Sequence, residues 1–68
     1  MTLKEIRLKK GITQVELAKH VGISQQTISH YETGRAKPSL DVAVKLAKAF
    51  GVSVEEIYQA WVEGKGNT

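Results

Sequence analysis

The chain has 68 residues, no cysteine and a net charge of +3, which allows one small domain built without disulfides or a cysteine zinc site. A chain this short buries only about 60% of the surface its unfolded form exposes and has no room for a cleft between lobes, so an enzyme is not expected. No apolar run approaches the roughly 20 residues that cross a bilayer, and no signal-peptide apolar region opens the chain, so a cytoplasmic protein without membrane association is expected.

A repeated signal divides the sequence: a Ser or Thr, an amphipathic stretch, then a Gly. Thr2-Leu3-Lys4-Glu5 is a capping box and predicts a first helix over 3–10, with Leu3 and Ile6 on its apolar side and Gly11 at its end. Thr13-Gln14-Val15-Glu16 repeats the box and opens a second helix over 14–21, carrying Leu17, Ala18 and Val21 and stopping at Gly22. Ser24 caps a third over 25–33, with Ile28 and Tyr31 three apart and Gly34 after it. Ser39, following Pro38, caps a fourth over 40–50. Its long stripe of Leu40, Ala43, Val44, Ala47 and Phe50, widened by Leu46, marks it as the central helix. Beyond Gly51, Ser53-Val54-Glu55-Glu56 is a third capping box and opens a fifth helix over 54–62, with Val54, Ile57, Tyr58, Trp61 and Val62. Residues 63–68 carry no apolar side chain and are expected to fray, leaving a domain of residues 1–62. Nothing alternates with period two, so the fold class is all-α.

The informative segment is residues 14–33, QVELAKHVGISQQTISHYET. Two helices of about eight residues meet at a Gly-Ile-Ser turn too short for them to lie flat against each other. Ala18 stands where they cross, and a larger side chain would push them apart. Gly22 occupies the reversal, a position suited to positive φ. Leu17, Val21, Ile23, Ile28 and Tyr31 form the apolar wedge that fixes the angle. The pattern is a helix-turn-helix whose second helix projects polar residues outward.

These residues, with those flanking them, resemble the Cro/repressor type (Xre family) of helix-turn-helix DNA-binding domain. The likeness runs from about Leu3 to Trp61. It is carried by Leu3-x-x-Ile6-Arg7, Gly11-Ile12-Thr13-Gln14, Glu16-Leu17-Ala18, Val21-Gly22-Ile23-Ser24, Ile28-Ser29-x-Tyr31-Glu32-x-Gly34, Lys37-Pro38-Ser39-Leu40 and Gly51-Val52-Ser53. A five-helix, lambda-repressor-like domain follows from the resemblance, with the motif at helices two and three.

The resemblance also implies the roles of the exposed residues. In such domains the second helix of the motif enters the major groove with its first residues on base edges. Here those are Gln25, Gln26 and Ser29, with His30 beside them, and a Gln can read adenine through N6 and N7. Gln14, at a helix start where free N–H groups favour an anion, is expected on the DNA backbone. Thr27, Thr33, Arg35 and Lys37 are the other expected phosphate contacts. Some phage repressors reach the minor groove with an Arg just after the loop proline; Ser39 stands there in this chain. Arg7 and Glu32 are expected to pair and hold the recognition helix at its angle.

Neither a metal site nor a catalytic pair is legible: the two histidines lie ten residues apart with no third ligand at a metal spacing, and no nucleophile elbow or phosphate loop is present. No cofactor is expected. Residues 1–52 hold nine basic side chains against four acidic ones, a net +5, whereas residues 53–68 hold Lys65 against Glu55, Glu56 and Glu63, a net −2. Tyr58, Trp61 and Val62 close the last helix, where little protein remains to cover them. Aromatics there with acidic neighbours suit a subunit contact, so a two-fold homodimer on helix five is expected, binding a near-palindromic operator in double-stranded DNA. The expected function is sequence-specific regulation of transcription, with repression the expected sign. The alternative is the antitoxin of a toxin–antitoxin pair, although residues 63–68 are short and bland for a toxin-binding tail.

Overall fold

The computed structural model describes residues 1–66. Five helices follow one another: α1 (Leu3–Lys9), α2 (Gln14–Val21), α3 (Gln25–Thr33), α4 (Leu40–Phe50) and α5 (Val54–Gly66). No strand occurs among the described residues. Each helix start is built by the residue before it. The Thr2 hydroxyl accepts from the Glu5 N–H at 3.1 Å while the Glu5 carboxylate accepts from the Thr2 N–H at 2.7 Å. Thr13 and Glu16 repeat the exchange at 3.1 and 2.9 Å, and Ser53 and Glu56 at 3.0 and 3.3 Å. Ser24 and Ser39 accept from the N–H groups of Thr27 and Val42. Such reciprocal bonds occupy donors that a helix start otherwise leaves unpaired. They also hold the Glu5 and Glu16 carboxyls below the usual carboxylate range, first through the backbone N–H of Thr2 and of Thr13.

The core gathers one or more residues from every helix: Leu3 of α1, Leu17, Ala18 and Val21 of α2, Ile28 and Tyr31 of α3, Ala43, Leu46, Ala47 and Phe50 of α4, and Ile57 and Ala60 of α5. Helix α4, expected to be the central helix, packs against α2 and α5, whereas α5 packs against α1, α3 and α4 and is the more widely connected of the two. Leu40, expected in the α4 stripe, is 64% exposed. Side chains lean toward their helix N-terminus, so one on the first turn extends past the packed part.

The chain end differs from expectation. Residues 63–66 are helical rather than frayed, because α5 runs on to Gly66. Gly64 is buried, and a Cβ there would lie 3.1 Å from the Glu32 carbonyl oxygen. The turn docks through its backbone, which an inventory of apolar side chains does not register. The folded unit therefore extends past residue 62; residues 67–68 of the expected tail lie outside the described residues.

Candidate nucleic-acid interface

The angle between α2 and α3 comes from the turn between them. Gly22 adopts φ +75°, a left-handed conformation, and the carbonyl of Ala18 accepts from both the Gly22 and the Ile23 N–H at 2.9 and 3.0 Å. Ala18 itself is buried at the crossing. Helix α3 then turns Ile28 and Tyr31 into the core, and Gln25 and Gln26 on its first turn stand exposed. Ser29 and His30 are half-buried on the following turn. Burial pushes the Tyr31 phenol up from its ordinary value, consistent with its place beneath the helix.

A chain of polar contacts links the core to this exposed face. Arg7 donates from Nε to Glu32 Oε2 at 2.6 Å and from Nη2 to Oε1 at 3.3 Å, and its Nη1 donates to the Ile12 carbonyl at 2.9 Å. Both side chains are nearly buried, at 7% and 6% exposure. The pair thus ties α1 to the last turn of α3. Glu32 Oε1 also accepts from Gln14 Nε2 at 3.0 Å, and Gln14 Oε1 accepts from Gln25 Nε2 at 3.4 Å. A carboxylate can only accept, so Glu32 sets which way the Gln14 amide points, and Gln14 in turn faces its oxygen to Gln25. The spacing of these residues does not announce either link; both cross between helices that only the fold brings together.

The other expected phosphate contacts are less uniform. The Thr27 hydroxyl lies 2.7 Å from that of Ser24 and belongs to the α3 cap. Thr33 donates its hydroxyl hydrogen back to the Ser29 carbonyl at 3.1 Å, so in this conformation it offers no hydrogen to an anion. Arg35 and Lys37 are exposed on the loop after α3. The Lys37 ammonium lies over the rings of Tyr58 and Trp61, 5.5 and 5.6 Å from their centroids.

Tyr58 and Trp61, expected at a subunit contact for want of cover, are covered by the chain itself. Both are half-buried, and the loop between α3 and α4 covers them. The Tyr58 hydroxyl donates to the Pro38 carbonyl at 2.9 Å and Trp61 Nε1 donates to the Ala36 carbonyl at 2.8 Å. Val62, 49% exposed, is the member of that trio left facing solvent. The signal that could have found this contact is the i, i+3 placement of Tyr58 and Trp61, with Lys65 four further on the same side, its ammonium 5.1 Å from the Trp61 ring.

An exposed polar helix start, carried on a short helix and a left-handed glycine turn, defines a helix-turn-helix DNA-binding module. The helix-turn-helix family model matches residues 3–57, and the chain belongs to this family, in its Cro/repressor-type (Xre) branch. Among its relatives, an uncharacterized HTH-type transcriptional regulator of Methanocaldococcus jannaschii is 48% identical over 56 residues, 82% of this chain and 85% of that protein. A second, from Bacillus subtilis, is 38% identical over 61 residues, 90% of this chain and 89% of the relative. The cryptic phage CTXphi transcriptional repressor of Vibrio cholerae is 33% identical over 55 residues, 81% of this chain and 50% of that protein. No helix among the described residues is long and apolar enough to cross a membrane, and no three of their His, Asp or Glu side chains gather closely enough to hold a metal ion.

Proposed function

We propose that this protein is a sequence-specific transcriptional repressor of the cytoplasm, which reads the major groove of double-stranded DNA with α3 as a homodimer and catalyses no reaction. The observation that carries the reading is the anchored amide pair at the exposed start of α3. Gln14, turned by Glu32, holds one hydrogen of the Gln25 amide. That leaves Gln25 with an outward oxygen and a second N–H, the donor–acceptor pair that matches adenine N6 and N7. Gln26 and Ser29 extend the same face, with His30 behind them. Gln14 keeps its second amide hydrogen for a phosphate, and Arg35 and Lys37 supply charge on the far side of α3. Thr27 and Thr33 serve as phosphate contacts only if their hydroxyls turn from their present partners. The repressor name of the phage relative supports the sign of regulation.

A single domain covers one half-site. A subunit 23–26 Å across fits two abreast over the roughly 34 Å between successive major grooves, which calls for a near-palindromic operator. The dimer contact falls to the solvent side of α5 around Val62. Selection of bound fragments from random duplex DNA, repeated with Gln26→Ala, tests the readout: a changed preference at one base position is expected, and a uniform loss at all sequences would move Gln26 to the backbone-contacting group. Failure to enrich any sequence would overturn specific binding. Sedimentation at tens of micromolar tests assembly, with a dimer expected for the wild type and a monomer for Val62→Glu.

A further inference from the structure

The second half of α5 lies beyond the residues that the family model matches, which end at 57, and it reaches the loop that carries Arg35 and Lys37. The two carbonyls it binds, those of Ala36 and Pro38, flank Lys37 on either side. The loop is held from α3 as well, since the Arg35 and Ala36 N–H groups both donate to the His30 carbonyl, at 2.9 and 3.3 Å. Between these anchors Lys37 lies with its ammonium within cation–π range of two rings. One turn further, α5 and the end of α3 touch through backbone. A Cβ at Gly34 would fall 2.4 Å from the Lys65 Cβ and 2.8 Å from its Cα. A Cβ at Gly64 would press on the Glu32 carbonyl.

We propose that Tyr58 and Trp61 are positioning residues for DNA-backbone binding, clamping residues 36–38 so that Lys37 is presented to a phosphate. The inference rests on the reading of the loop as a backbone-facing segment. A long, flexible lysine on an unrestrained loop must lose loop and rotamer freedom when it binds an anion. Here the loop is ordered beforehand by two donors from a helix that takes no part in reading bases. The clamp therefore acts on affinity and on its salt dependence, and leaves base preference unchanged.

Two conservative variants isolate the donors: Tyr58→Phe removes the hydroxyl and Trp61→Phe the indole N–H, while a ring remains beneath Lys37. The probe is a mixed-sequence duplex of about two helical turns, titrated between about 50 and 200 mM salt. Each variant is expected to keep its helical content and to bind about 3- to 10-fold more weakly, the range that the loss of one net hydrogen bond converts to. The slope of log K against log salt is expected to fall by about 0.9, one phosphate contact. In a Lys37→Gln background the Phe substitutions are expected to add nothing further. A merely structural role for the aromatics would lower the melting temperature but leave the slope unchanged and the effects additive; that outcome overturns the proposal. Should either variant fail to fold, the wild type supplies the readout, because Trp61 is the chain's single tryptophan. Its emission is expected to change on adding the duplex, as phosphate draws the Lys37 ammonium from the ring, and to revert at high salt. A flat signal while binding is seen by anisotropy of labelled DNA overturns the clamp. Absence of wild-type binding at low salt would instead overturn the DNA-binding reading itself.

Discussion

Glu32 is the residue on which stability and site geometry converge, so its neutral isostere is the sharpest perturbation. In Glu32→Gln the shape is kept but the charge opposite Arg7 is lost, with both side chains nearly buried. One of the two carboxylate oxygens becomes an NH2 group, which must face a donor, because Arg7 Nε, Arg7 Nη2 and Gln14 Nε2 all point at this carboxylate. Breaking a buried pair by removing one charge costs about 3–5 kcal/mol. A domain of this length holds roughly 3–10 kcal/mol in total, so the variant sits close to unfolding. At ~4–8 °C per kcal/mol for small domains, the melting temperature falls by at least about 12 °C. Urea unfolding followed by far-ultraviolet circular dichroism in the cold measures the loss. The double variant Arg7→Met with Glu32→Leu is expected to recover most of the stability, since apolar replacement of a buried pair is often neutral or favourable. It should not recover DNA affinity, because Gln14 still lacks the acceptor that turns its amide. A loss below about 1 kcal/mol in Glu32→Gln, or a double variant no more stable than the single, would refute this account of the pair.

The two left-handed glycines around α3 are expected to differ. Gly22→Ala meets nothing within 4 Å and carries only the left-handed strain, about 1–2 kcal/mol; Gly34→Ala adds a collision with Lys65 and should cost clearly more in the same urea experiment. Acid stability follows from Glu5 and Glu16, both held below the ordinary 4.5. Folding favours their charged forms, so their contribution is complete above that value and is lost as pH falls through the folded-state values; a melting-temperature series below about pH 5 should show the decline, and a Glu5→Gln, Glu16→Gln double variant should flatten it. At the alkaline end Tyr31, raised by burial, contributes stability that is full below pH 10 and is lost as pH rises toward its folded value, and Tyr31→Phe should remove that part of the dependence.

How far the sequence spoke depended on the distance over which each contact acts. The capping boxes at Thr2, Thr13 and Ser53 were legible because each is an exchange between residues three apart, and a local rule suffices. The Arg7–Glu32 pair spans 25 positions and was reached only through a family resemblance; its continuation to Gln14 and Gln25 was not reached at all. Tyr58 and Trp61 illustrate the opposite failure. Their helical spacing marks them as a buried face, yet nothing local says that a loop 20 and 25 residues upstream will cover it. A partner subunit was the nearest explanation for aromatics without an evident cover. Gly34 marks a helix stop and Gly64 falls in the stretch expected to fray, whereas each is also a close contact between α3 and α5. Apolar periodicity records side chains that fill space and is silent about side chains left out so that two helices can touch.

The charge division acquires a different meaning from these contacts. A net −2 over residues 53–68 suggested a surface kept apart from DNA for a subunit contact. Glu55 and Glu56 instead sit in the first turn of α5, where the helix dipole favours acids, and Glu56 closes the Ser53 capping box. Glu63 binds the Met1 ammonium at 2.7 Å. Two positions along, on the other side of the helix, Lys65 lies over Trp61 and against Gly34. Glu56 and Glu63 thus serve the start of α5 and the chain's N-terminus, and the one basic side chain of the helix lies against Trp61 and the Gly34 end of α3. Helix α5 is divided by side, and its basic side chain lies over Trp61, the ring that Lys37 of the loop also faces, so the acid surplus no longer argues for dimerisation. The case for a dimer rests on the size of one half-site and on Val62. Val62 lies one turn beyond Tyr58 and next to Trp61 on α5, exposed where they are covered. The dimer and the clamp are therefore told apart by their readouts, sedimentation for Val62→Glu and the salt slope for Tyr58→Phe and Trp61→Phe.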